Sequence, residues 1–219
     1  ITVLASQKEG NASVVLQRIM PKIKAIPLPS GYTLEFGGEY QDASEAQEAL
    51  FKNIPITLIL MMLILIMLFN SIRQPLIIVL TVPLAIIGVT VGLLVTNQSF
   101  GFMALLGFLS LIGMLIKNAI VLIDQINIEM KEDQSPQDAL IIAALSRMRP
   151  VMMAAITTVL GMVPLLPDIF FVGMAVTIMA GLTFATVLTL LVVPVLYSIF
   201  YRIPFSDYGQ KGVKDAVTA

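Results

Sequence analysis

Two residue types that carry much of protein chemistry are missing: the 219 residues include no cysteine and no histidine. Disulfides, thiolate chemistry and histidine metal triads are therefore excluded. The lack of cysteine leaves the compartment open. Charge is sparse as well. Asp, Glu, Lys and Arg make up 12% of the chain, about half the usual share, and a net charge of −1 gives no basic surface for a nucleic acid. No nucleophile and base pair, phosphate-binding loop or metal-ligand cluster emerges from the spacing, so neither an enzyme nor a resident cofactor is expected.

What the chain has instead is apolar length. Hydrophobic residues reach 58%, above the usual ~45–50% of globular proteins, which predicts an integral membrane protein in contact with lipid. The fold class expected is mostly α, a polytopic bundle of five membrane helices. The segments are Ile54–Phe69, Pro75–Val95, Phe100–Ile128, Val151–Leu166 and Phe171–Tyr201, set against the ~20 apolar residues a crossing needs. Pro83 and Pro194 are expected to kink the second and fifth. The fourth segment is short and needs its flanking residues at the membrane boundary.

Basic residues set the orientation. Arg73, Lys131, Arg147, Arg149, Arg202, Lys211 and Lys214 fall on one side, whereas the loops Thr96–Ser99 and Pro167–Phe170 on the other side carry none. By the positive-inside rule the C-terminus is cytoplasmic and residues 1–50 are extracytoplasmic.

Residues 1–50 read differently from the rest, as a small strand, helix, strand unit that ends in a lead-in helix. ITVLA is strand-like, Ala12 to Ile26 has helical spacing that Pro21 should interrupt, and Tyr32 to Phe36 alternates as a strand. So small a unit buries little core and is expected to complete a sheet formed by other chain. The opening at Ile1, in mid-strand and without a signal region, predicts an internal or C-terminal piece of a longer polypeptide. The organisation expected is therefore 1–50 as part of an extracytoplasmic subdomain, 51–203 as the membrane domain, and 204–219 as a cytoplasmic tail without regular structure. Ser135, Pro136 and Asp138 have the pattern of a helix start, which predicts a separate interfacial helix near 136–147 along the cytoplasmic face.

One residue stands out against this background. Lys117 lies roughly 25 Å from Phe100 and roughly 15 Å from Ile128 along a helix, well inside the hydrocarbon. A lysine there costs a few kcal/mol unless a counter-charge or a water-filled cavity receives it. No acid of this chain sits at its depth; Asp124, on the same face, is about 10 Å away. The partner is expected outside this sequence. Two readings of Lys117 stand side by side: one half of a proton-responsive ion pair with Asn118 as its neutral neighbour, or a salt bridge that only holds helices together. Ionisable groups at such depth mark ion and proton pathways by default.

Other candidates have plainer alternatives. Thr157 and Thr158 could line a hydrated relay, but membrane threonines more often bond back to their own helix. Asp124 could be a proton exit, although a carboxylate near the headgroups needs no special role. Gly88, Gly92, Gly107, Gly113 and Gly181 suit close helix packing. Thirteen methionines invite a path for soft copper or silver ions, yet most, such as Met61, Met62 and Met67, lie in apolar runs that suit packing or lipid contact.

Several stretches taken together resemble a known family. GYTLEFGGEYQDASEAQE (31–48), FNSIRQPLIIVLTVPLAIIG, GFMALLGFLSLIGMLIKNAIVLID, ALSRMRPVMMAAITTVLGMVPLL and GLTFATVLTLLVVPVLY occur in order. They are similar to the C-terminal end of resistance-nodulation-cell division (RND) efflux pumps, most of all the AcrB-like hydrophobe/amphiphile branch. The resemblance implies the last five of twelve membrane helices, preceded by the end of a periplasmic porter domain. It implies a homotrimeric proton/drug antiporter of the bacterial inner membrane, working with a periplasmic adaptor and an outer-membrane channel. Lys117 would match the family's relay lysine and Asn118 its neighbour, with paired aspartates on a helix from the missing N-terminal part as counter-charges. Arg147 would match an arginine that assists proton passage. Where many relatives carry a relay threonine this chain has Ala154; Thr157 and Thr158, one turn on, are the candidate substitutes, the alternative being a changed hydration path or a less coupled pump. The alternatives are a heavy-metal or other RND-type exporter, or a non-transporting membrane scaffold.

Overall fold

A computed structural model of the chain describes residues 12–27, 29, 31, 34, 36–37, 39–132 and 135–203. Six helices follow one another: α1 (Ala12–Lys24), α2 (Glu39–Phe69), α3 (Arg73–Val95), α4 (Phe102–Glu129), α5 (Pro136–Met162) and α6 (Val172–Tyr201), with one 3-10 turn at Val163–Leu165. The chain divides into two compact units, residues 1–59 and 60–219.

In the first unit, α1 continues through Pro21 to Lys24 without the expected interruption. The strand foreseen at 1–5, most of that at 32–36 and the tail 204–219 lie outside the described residues. The lead-in helix and the first apolar segment are one continuous helix, α2, as the sequence suggested.

The second unit holds the end of α2 and all of α3 to α6. Among the described residues, five helices are long and apolar enough to cross a membrane: Ala43–Phe69, Arg73–Val95, Phe102–Glu129, Pro136–Leu165 and Val172–Tyr201. Their number and order match the five expected segments. Short connectors are possible because Asn70 and Asn97 take left-handed backbone conformations (φ 46° and 53°), which asparagine tolerates better than most residues. Helix α6 lies in the middle of the unit, against α3, α4 and α5.

The seam between α3 and α6 needs glycine. A Cβ at Gly88 would come within 2.7 Å of Phe184 Cβ, and one at Gly92 within 2.2 Å of Ala180 Cβ. Where α4 meets α6, a Cβ at Gly181 would run into Leu111 Cδ2, and one at Gly107 would come within 2.9 Å of the Met174 carbonyl oxygen. Such contacts let helices approach until dispersion forces act backbone to backbone. Gly113, expected in the same role, has open space where its Cβ would be.

The separate interfacial helix at 136–147 is absent. Those residues are the first turns of α5, which runs unbroken from Pro136 to Met162. Ser135 caps the start, its hydroxyl oxygen accepting from Asp138 N at 3.2 Å, as expected. The reason for continuity is burial: Ala139, Leu140, Ala143, Val151 and Ala155 are all buried, so the apolar face assigned to the membrane surface is packed against the bundle instead. The helix that carries the fourth apolar segment is correspondingly longer than that segment, 30 residues from Pro136 to Leu165, or about 45 Å.

Candidate functional site

Only five residues of α4 are exposed: Ser110, Gly113, Lys117, Asp124 and Ile128. Their spacing of three, four, seven and four places them within about 60° of one another around a helix. The stripe therefore follows from sequence periodicity alone. The opposite face, including Ala104, Gly107, Leu111, Ala119 and Leu122, is buried. Lys117 sits in the middle of the stripe and the middle of the helix. Among the described residues nothing hydrogen-bonds to or pairs with Lys117 or Asp124. Asn118 is half-buried beside the lysine, one step around the helix.

Helix α5 has a broader and more apolar exposed face: Met153, Ala154, Ile156, Thr157, Leu160 and Gly161 are exposed, with Thr158 half-buried. Both threonine hydroxyls donate back one turn, Thr157 Oγ1 to Met153 O at 2.8 Å and Thr158 Oγ1 to Ala154 O at 2.9 Å. This is the ordinary bond of a threonine in a membrane helix.

Arg147 links the two helices. Its Nε and Nη2 donate to Gln125 Oε1 of α4 at 3.0 and 2.6 Å, and Gln125 Nε2 donates onward to Glu129 Oε1 at 2.7 Å. From that tie, helical rise puts Lys117 about 12 Å along α4 and Thr157 about 15 Å along α5. The lysine and the two threonines thus share a depth on neighbouring antiparallel helices, while Arg147 lies nearer the end of the bundle.

A second polar cluster joins α3, α4 and α6 at that same end. Gln74 and Asn127 exchange bonds, Gln74 Nε2 to Asn127 Oδ1 at 2.8 Å and Asn127 Nδ2 to Gln74 Oε1 at 3.1 Å. Gln74 Nε2 also reaches Tyr201 Oη at 3.2 Å, and Tyr197 Oη donates to Asn127 Oδ1 at 3.1 Å. The two tyrosine rings stack with centroids 4.4 Å apart, and the Arg73 guanidinium lies 5.7 Å above Tyr201. Sequence reading passed over Gln74, Gln125 and Asn127. The signal for them was an amide inside an apolar helix, which rarely stands without a partner.

Comparisons with known proteins agree with this architecture. The sequence profile described as the AcrB/AcrD/AcrF family matches residues 1–201. The swarming motility protein SwrC of Bacillus subtilis is 32% identical over 198 residues, spanning 88% of this chain and 19% of SwrC. The cobalt-zinc-cadmium resistance protein CzcA of Cupriavidus metallidurans is 30% identical over 201 residues, spanning 88% of this chain and 18% of CzcA. A crystal structure of a heavy metal efflux pump is 29% identical with a TM-score of 0.69, covering 88% of this chain and 20% of the pump. The chain thus spans about a fifth of the length of these relatives. They do not single out the hydrophobe/amphiphile branch, since two of the three are named for metals. The match over nearly its whole length shows that the chain belongs to the AcrB/AcrD/AcrF family of RND efflux transporters.

Proposed function

We propose that this chain is the C-terminal membrane portion of a proton-driven exporter, and that Lys117 is its charge-bearing switch. The observation that carries this reading is the polar stripe of α4, with a cation at the middle of the helix and no counter-charge paired with it among the described residues. A carboxylate from another helix of the same subunit completes the pair. Protonating that carboxylate weakens its hold on the ammonium, and the lysine swings to another acceptor, a two-state change of local charge. Each proton crossing with the membrane potential supplies about 2.3 kcal/mol per 100 mV. Asn118 offers the displaced ammonium a neutral acceptor. Thr157 and Thr158 lie at its depth, and Arg147 and Asp124 stand toward the side on which the proton leaves. That side is cytoplasmic by the distribution of basic residues, in a bacterial inner membrane. The intact protein is a homotrimer that works with a periplasmic adaptor and an outer-membrane channel.

For substrate, we favour divalent metal cations over hydrophobic or amphiphilic compounds. The support is the naming of relatives at about 30% identity for cobalt, zinc and cadmium and for nickel and cobalt. Scattered methionines weigh against soft ions such as copper and silver. They do not bear on zinc or cobalt, which accept nitrogen and oxygen ligands. The cation itself is held by parts of the subunit outside this chain.

The test is Lys117→Met in the intact protein, expressed in a sensitive host and challenged with zinc, cobalt, cadmium and nickel salts beside ethidium and bile salts. Tolerance conferred by the wild type is expected to vanish with trimer assembly unchanged. Full tolerance in the mutant would sink the proton-switch reading, and protection against ethidium alone would sink the metal assignment. Loss of assembly rather than of activity would favour a scaffold.

A further inference from the structure

Resting on the proton-driven reading above, we propose that Gln125 is a positioning residue for Arg147, a neutral hook that holds the guanidinium at the bundle's basic end without cancelling its charge. A guanidinium does not give up its proton in a protein. Arg147 therefore acts on proton passage as a fixed positive charge, and a fixed charge works only where it is placed. Its placement is set by α4: both Nε and Nη2 converge on the single Oε1 of Gln125, at 3.0 and 2.6 Å.

The hook is itself oriented. Gln125 Nε2 donates to Glu129 Oε1 at 2.7 Å one turn further along α4, so the amide has its oxygen toward the cation and its nitrogen toward the anion. A flipped amide would face a donor with a donor and an acceptor with an acceptor. Glu129 thereby fixes the amide, and the amide fixes the arginine. All three side chains are half-buried, where hydrogen bonds to charged groups are roughly twice as strong as neutral ones.

The residue type is the informative part. A carboxylate at 125 would bind Arg147 more strongly, but it would neutralise the guanidinium and crowd Glu129. An amide ties α5 to α4 and leaves the charge of Arg147 in force, about 12 Å along the helix from Lys117. Asp124, the next residue, points into the exposed stripe and has no such tie. On the basic end, then, Gln125 and Glu129 are the residues of α4 that govern Arg147.

The experiment uses the intact pump in pyranine-loaded proteoliposomes, with zinc-dependent proton flux as the readout and thermal melting as the control. Gln125→Leu removes the hook, whereas Gln125→Glu keeps a tie and removes the net charge. Both variants are expected to lose about tenfold or more in coupled flux, the scale on which a misplaced group costs rate. Gln125→Glu should melt no lower than wild type, which a purely structural role does not accommodate. Combining Gln125→Leu with Arg147→Ala should cost no more than Arg147→Ala alone. Wild-type flux in Gln125→Glu, or additive losses in the double variant, would overturn the proposal while Lys117→Met still abolishes flux. Flux surviving in Lys117→Met overturns the proton-driven reading as well. If the wild type responds only to ethidium, the same comparison is made with ethidium.

Discussion

Helices α4 and α6 each leave one stripe uncovered, and the two stripes have opposite chemistry. On α6 the exposed residues are Thr183, Phe184, Val187, Leu191, Val195 and Ile199. The lone hydroxyl there is turned back to Met179 O at 2.7 Å. On α4 they include a serine, a glycine, a lysine and an aspartate. Exposure alone does not distinguish these faces. What does is the solvent each side chain requires: hydrocarbon satisfies the α6 stripe at no cost, whereas Lys117 needs a counter-charge or water. The bundle therefore has one stripe that hydrocarbon satisfies and one that requires polar company.

The sharpest way to break this comparison is to move the cation. Val187→Lys places an ammonium on the α6 stripe at about the same depth as Lys117, and insertion scales put the cost of a central lysine at about 2.5–3.5 kcal/mol. Membrane-inserted protein and melting temperature should both fall steeply. Undiminished yield and stability of that variant would show that α6 does not face lipid, and the distinction between the stripes would be lost.

A smaller effect sharpens it. Gly92→Val must displace Ala180, whose Cβ lies 2.2 Å from the added carbon, and overpacking of this kind costs about 1–3 kcal/mol. At Gly113 an added Cβ meets no atom of a neighbouring helix within 4 Å, so Gly113→Val starts into open space. If another part of the subunit approaches the α4 stripe, Gly113→Val should cut export while leaving the melting of α3 against α6 untouched. Equal melting losses from both variants would mean that the two glycines serve one purpose, contrary to the geometry.

Much of this was legible in the sequence because single physical rules dominate it. Apolar length alone located five membrane helices, and the 3.6-residue period put Lys117 and Asp124 on one face. Ser135 announced the start of α5 by its own capping chemistry. What failed were inferences that depend on neighbours. The helix start at Ser135, Pro136 and Asp138 suggested a separate helix on the membrane surface, but Ala139, Leu140 and Ala143 are buried in the bundle and the helix runs on. Gly113 looked like Gly107 in sequence; only the second has a helix against it. Gln74 and Asn127, 53 residues apart, could not be paired before the helices were placed.

Thr186 carries the smallest and most discriminating prediction. Thr177, Thr183 and Thr189 of α6 all return their hydroxyl to the carbonyl four residues back. Thr186 does not. Its Oγ1 is buried and has no hydrogen-bond partner among the described residues. Two contacts between α4 and α6, Leu111 with Gly181 and Asn127 with Tyr197, are both seventy residues apart, which sets Thr186 level with Ile116 and so beside the depth of Lys117. Valine has nearly the same shape, and removing an unsatisfied hydroxyl is expected to raise stability by about 1 kcal/mol with export unchanged. That outcome would make the hydroxyl a mere misfit in an apolar core. A Thr186→Val pump that melts higher but exports less would extend the polar side of the molecule from the α4 stripe into the contact with α6, and the two stripes would no longer mark its limits.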